Sequence, residues 1–120
     1  MNLQELQTQF PASDVRLIAY DAAEVRTGFN PNIPVLFVSG TLPCLNMTAA
    51  LPPRIYITCP DYWVIDLLGY LPGDICLEAV KPFSFALPLS GITGQRGIEL
   101  VAANGRKKFE VAGGCTPLDG

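Results

Sequence analysis

Residues 27–53 carry no charged side chain, and the run is broken by Pro31, Pro34, Pro43, Pro52 and Pro53. It is long enough to cross a bilayer. Prolines at this density, however, break a helix repeatedly, and each freed backbone group would go unsatisfied in lipid. The same prolines, with Asn30, Asn32 and Asn46, are ordinary punctuation between short extended segments. The run therefore predicts strands in a soluble fold and no membrane insertion. Charged residues make up only 16% of the 120 residues, against a usual share of about 25%. A small domain has proportionally more surface to cover, so part of the outside is expected to face protein: a second copy of the chain or a partner.

The size is that of one domain spanning 1–120. Leu3, Leu6 and Phe10 at helical spacing, ended by Pro11, predict an N-terminal helical segment within 1–12. Residues 13–26 fit either of two patterns. Ser13 and Asp14 can cap a helix that puts Val15, Ile18, Ala19, Ala22 and Val25 on one face, and Val15 to Tyr20 can equally start a sheet; the reading leans to the helix. After Gly28 the pattern is extended, with candidate strands at 35–41, 45–51, 55–58, 62–70, 75–80, 83–87, 98–103 and 107–111. Asn104-Gly105 is a strong hairpin signal, read as a turn in which both residues take positive φ. It aligns Ile98, Leu100 and Ala102 with Val111, Phe109 and the stem of Lys107. A second hairpin is expected at Leu71-Pro72-Gly73-Asp74, setting Asp66 opposite Ala79 and Leu68 opposite Leu77. Residues 113–120 read as a loose tail. The fold expected is mainly β, a small antiparallel barrel or sandwich with one or two short N-terminal helices, or alternatively an α+β arrangement.

Met1–Glu5 has neither a basic start nor an apolar run, so the cytoplasm is the expected location. Cys44, Cys59, Cys76 and Cys115 include no C-x-x-C pair and are read as buried free thiols. With no histidine to join them, a zinc site is not expected. The formal net charge is −3, and the only cationic run, Arg106-Lys107-Lys108, reads as a protected strand edge, so nucleic acid is not an expected partner.

The absence of histidine also removes Ser-His-Asp triads, Cys-His dyads and histidine metal triads from this chain. No catalytic, cofactor or metal residues are assigned and no cofactor is expected. Tyr62, Trp63, Asp66, Tyr70 and Glu78 are the candidates for an interface or pocket. Asp66 is the anomaly among them, because a carboxylate in an apolar strand needs a donor. The glycines from Gly91 to Gly97 raise a weaker possibility, an anion loop at Gly94, Arg96 and Gly97. The leading functional expectation is a non-enzymatic interaction or assembly module that self-associates or docks on a protein. The alternative is a small-molecule-binding barrel or a carboxylate enzyme built on Asp61, Asp66 and Glu78.

Overall fold

A computed structural model describes residues 13–27, 33–73 and 75–116. The described residues form nine strands: β1 (Ser13–Leu17), β2 (Ala22–Thr27), β3 (Pro34–Cys44), β4 (Thr48–Ala50), β5 (Tyr62–Asp66), β6 (Leu68–Pro72), β7 (Glu78–Pro88), β8 (Gly97–Ala102) and β9 (Gly105–Glu110). They form three three-stranded sheets ordered β1-β6-β4, β2-β3-β7 and β5-β8-β9. All pairings are antiparallel except β5 with β8, which is parallel. The fold is mainly β, without a closed barrel, and no helix occurs among the described residues. The helix expected within 1–12 lies outside them.

Period-two patterning decided the segment 13–26. The helical reading needed Ala19 and Ala22 on the buried face, and both are exposed. Instead Val15 is buried between the charged Asp14 and Arg16, which pair with each other. In β2, Ala23 and Val25 are half-buried and alternate with exposed Ala22, Glu24 and Arg26. Charges spaced two apart cost nothing on the wet face of a strand, whereas a helix would spread them around its circumference.

The C-terminal hairpin forms with the expected faces, but its register is shifted by two residues: Ile98 lies opposite Phe109 and Leu100 opposite Lys107, where Val111 and Phe109 were expected. The shift comes from the turn, which sits one residue earlier than Asn104-Gly105. Ala103 and Asn104 are the central residues, and neither takes a positive φ. Asn104 instead spends its side chain on the β1–β2 connection, donating through Nδ2 to Tyr20 O (3.0 Å).

The hairpin expected over 62–80 does not form. The run 62–70 splits at Leu67, whose N–H donates to Val101 O (2.9 Å) in one sheet while its carbonyl accepts from Ile18 N–H (3.1 Å) at the border of another. After Gly73 the chain does not fold back on β6. A disulfide from Cys76 to Cys44 carries it to the end of β3, and β7 runs along β3 as one eleven-residue strand through Lys81-Pro82. Alternating apolar residues fit several partners equally well, and the covalent link chose this one.

One core joins the sheets. Ile18, Leu36, Val38, Leu42, Ile65, Leu67, Leu71, Ile98 and Leu100 are all buried in a single cluster, so residues from all three sheets and their connections share it. All four cysteines are bonded, as Cys44–Cys76 and Cys59–Cys115, which corrects the reading of free thiols. Metal-like spacing was absent from the sequence, but a chain of this size can bring distant cysteines together, and here it does. Cys115 also donates its N–H to Thr93 O (3.0 Å), so residues 113–116 of the stretch read as loose are tethered there.

Candidate functional site

Arg54 supplies the donor that Asp66 required. The carboxylate side chain is 10% exposed, and both of its oxygens are taken: Arg54 Nε donates to Oδ2 at 2.9 Å and Nη2 to Oδ1 at 3.0 Å. Backbone geometry sets up this fork. Pro52-Pro53 hold the chain extended beside β5, where Asp66 N–H donates to Pro52 O (3.1 Å) and Arg54 N–H to Val64 O (2.9 Å). Arg54 thereby lands on the same side of the sheet as Val64 and Asp66. The hydrogen bond to Asp66 holds the Arg54 guanidinium above its usual range, with partial burial opposing it. A carboxylate engaged at both oxygens by one guanidinium is a bidentate clamp that ties the 52–54 segment to β5.

Trp63 points to the other side of β5. Its ring meets Tyr56 edge-on at 5.1 Å between centroids, and its indole N–H donates to Arg54 O (2.8 Å). Tyr56 Oη in turn accepts from Val64 N–H (3.2 Å). The segment 52–56 is thus stapled to β5 from both faces.

The outer face of β5-β8-β9 is a mosaic of paired charges. Beside Arg54–Asp66, Arg106 pairs with Glu99 (Nε to Oε2, 3.2 Å). Tyr62 donates its hydroxyl to the Glu110 carboxylate, beneath Arg96 and Lys108, whose cationic groups lie 5.5 and 4.9 Å from the ring centre. The bond to Glu110 raises the Tyr62 phenol above its usual range. β9 is an edge strand, and its Arg106, Lys107 and Lys108 are exposed.

The five candidate residues do not converge. Tyr62, Trp63 and Asp66 lie on β5 but on opposite faces; Tyr70 lies on β6 opposite Val15 and Thr48; Glu78 opens β7 opposite Cys44 in another sheet. Asp61 sits in the loop before β5, where its carbonyl accepts from Arg96 N–H (2.8 Å). A shallow open hollow of about 520 Å³ lies on the outer face of β2-β3-β7, lined by Glu24, Arg26, Phe37, Ser39 and Ser84 and by none of these acids.

The glycine run has a backbone explanation. The N–H groups of Gly94, Gln95 and Arg96 already donate, at 2.8 Å each, to the carbonyls of Gly97, Pro60 and Asp61. A Cβ on Gly94 would sit 2.6 Å from Asp61 O, and one on Gly97 only 1.9 Å from Phe109 O. Glycine is required at both positions for strands to approach, and an anion would have to break this network to bind there.

What composition could not locate is a group of exposed apolar residues around the end of β3 and the start of β7. Leu45, Ile75, Leu77 and Val80 are exposed, Ile75 and Val80 by more than 70%. They are not held loosely. Cys76 is bonded to Cys44, Leu45 N–H donates to Leu77 O (2.9 Å), and Asn46 clamps both sides of Cys76, donating to Ile75 O (2.7 Å) and accepting from Leu77 N–H (3.1 Å). The one sequence signal for it is the uncharged run that contains Leu45 and Asn46.

No family model, no characterised protein and no solved structure matches this chain. Among the described residues, no helix is long and apolar enough to cross a membrane.

Proposed function

We propose that this chain is a non-enzymatic assembly module that associates with copies of itself. The observation supporting this is the set of exposed apolar side chains Leu45, Ile75 and Leu77 pinned around the Cys44–Cys76 bond, with exposed Val80 following in the next strand. Apolar side chains held in water by a disulfide and an asparagine clamp lose little conformational freedom on binding, so most of the gain from covering them is kept. The dispersal of Asp61, Asp66 and Glu78 over separate elements offers the carboxylate-enzyme alternative no such support. Light scattering across a concentration series tests the reading. The wild type is expected to gain mass as concentration rises and an Ile75→Asp/Leu77→Asp variant to lose part of that gain. A wild type of single-chain mass throughout would end the proposal.

The two disulfides also favour a mature chain in an oxidising setting over the cytoplasmic location expected from the first residues. Intact mass with and without reductant, on protein isolated from its source, tests this: four free thiols in the native protein would return the cytoplasmic reading.

A further inference from the structure

The reading of self-association leaves open how two copies meet, and β7 carries the answer further than the apolar patch does. It is one of the two longest strands and, among the described residues, borders only β3, and every one of its residues is at least partly exposed. Its backbone alternation follows from two prolines. Pro82 pairs with Thr41 and Pro88 with Val35, and a proline has no N–H to give. Leu89, one residue on, donates to Pro34 O (3.0 Å). Odd-numbered residues of this stretch therefore exchange bonds with β3, while Pro82, Ser84, Ala86 and Pro88 turn their backbone groups to the open side.

Pro82 and Pro88 stand three residues either side of Phe85. We infer that β7 pairs antiparallel with β7 of a second copy about a two-fold axis at Phe85, joining two three-stranded sheets into one of six. In this register Ser84 faces Ala86 of the copy, and Ala86 faces its Ser84, giving four backbone hydrogen bonds between two adjacent proline-free pairs. Pro82 meets Pro88 of the copy at each end, where the strands splay. Shifting the register within the regular stretch puts a proline ring next to the centre, so the prolines fix the alignment and limit its length.

Side chains agree with this register. Phe83, Phe85 and Leu87 are half-buried and pack against the main core on one side only. Pairing sets Phe85 against its own copy and Phe83 against Leu87, in the close, non-hydrogen-bonded positions where apolar cross-strand contacts are strongest. On the other face, Ser84 and Ala86 are small enough to leave the sheet flat. Charge selects this edge over β9. The stretch 82–88 is uncharged, whereas the same arrangement at β9 would set Arg106, Lys107 and Lys108 against their own kind.

The test uses two readouts. Proline at 84 and 86 removes only N–H groups that face outward, so Ser84→Pro/Ala86→Pro should melt like the wild type diluted to single-chain mass, yet keep single-chain mass by light scattering where the wild type gains mass. In the unaltered protein, amide exchange of Ser84 and Ala86 should slow by about tenfold or more as the dimer fills, a protection an open edge lacks. If the double variant still dimerises, or if these two amides exchange equally fast when dilute and when dimeric, edge pairing is overturned while self-association stands. If the variant fails to fold, the wild-type amides decide alone. A wild type that never exceeds single-chain mass overturns both.

Discussion

Removing Arg54 and removing Asp66 should not cost the same. Arg54→Met leaves a carboxylate that is 10% exposed with no cation, whereas Asp66→Asn leaves a guanidinium that is 46% exposed and already half in water. Breaking a fully buried pair by deleting one partner costs about 3–5 kcal/mol, and exposed pairs contribute about 0–1 kcal/mol. With one partner buried and the other half out, Arg54→Met is expected to cost about 2 kcal/mol and Asp66→Asn about 1 kcal/mol or less. For a chain of 120 residues the entropy of unfolding is about 0.25 kcal/mol/K, so Arg54→Met lowers Tm by about 8 °C. The double variant should recover part of this loss, because the amide no longer needs a cation. Urea unfolding followed by fluorescence is well placed to measure all three, since Trp63 is the only tryptophan and its indole N–H is bonded to the Arg54 carbonyl. Arg54→Met within about 0.5 kcal/mol of wild type, or Asp66→Asn as damaging as Arg54→Met, would refute the clamp.

Three further outcomes follow from the same geometry. The disulfides close loops with separations of 32 and 56 residues, so Cys44→Ala/Cys76→Ala and Cys59→Ala/Cys115→Ala should each cost about 4 kcal/mol on the chain-entropy account, seen as a lower denaturation midpoint. Gly97→Ala, which brings a Cβ against Phe109 O, should destabilise by about 2 kcal/mol or more or prevent folding; a neutral result would disprove the close approach. Tyr62 should ionise at higher pH than a free phenol, and Glu110→Gln should lower that pH in an absorbance titration. Because the folded-state pKa is raised, its contribution to stability is complete below about pH 10 and is lost as pH rises through the raised value.

Local chemistry was legible in the sequence, and distant pairing was not. Asn104-Gly105 with alternation on both sides identified β8 and β9 as partners and their shared faces, because every contact in a hairpin lies within a few residues of its turn, but a turn one residue earlier moved the register by two. The run 62–70 looked like one strand because nothing local marks Leu67 as the point where its N–H and carbonyl bond into different surroundings. Pro72-Gly73 signalled a turn, and Gly73 does take a φ of 77°, but a turn does not say which strand receives the chain after it. Cys76 does, through a bond to a residue 32 positions away. Asp66 was rightly singled out as needing a donor, yet its donor arrives from the neighbouring edge segment by way of Pro52-Pro53 and cannot be found by spacing along β5. The helical reading of 13–26 failed for a different reason: both periodicities fit its apolar residues, and only the charges at alternate positions separated them.

The Cys59–Cys115 bond has a consequence for biogenesis. As the chain leaves the ribosome, Cys44, Cys59 and Cys76 precede Cys115 as an odd set of thiols, and the proper mate of Cys59 lies 56 residues behind it. Until Cys115 appears any bond made by Cys59 is a wrong one, with Cys44 or with Cys76, each of which belongs to the other native pair. A chain oxidised at Cys59 in that interval reaches the native pairing only by thiol exchange once Cys115 appears, whereas one that first joins Cys44 to Cys76 keeps Cys59 free for its mate.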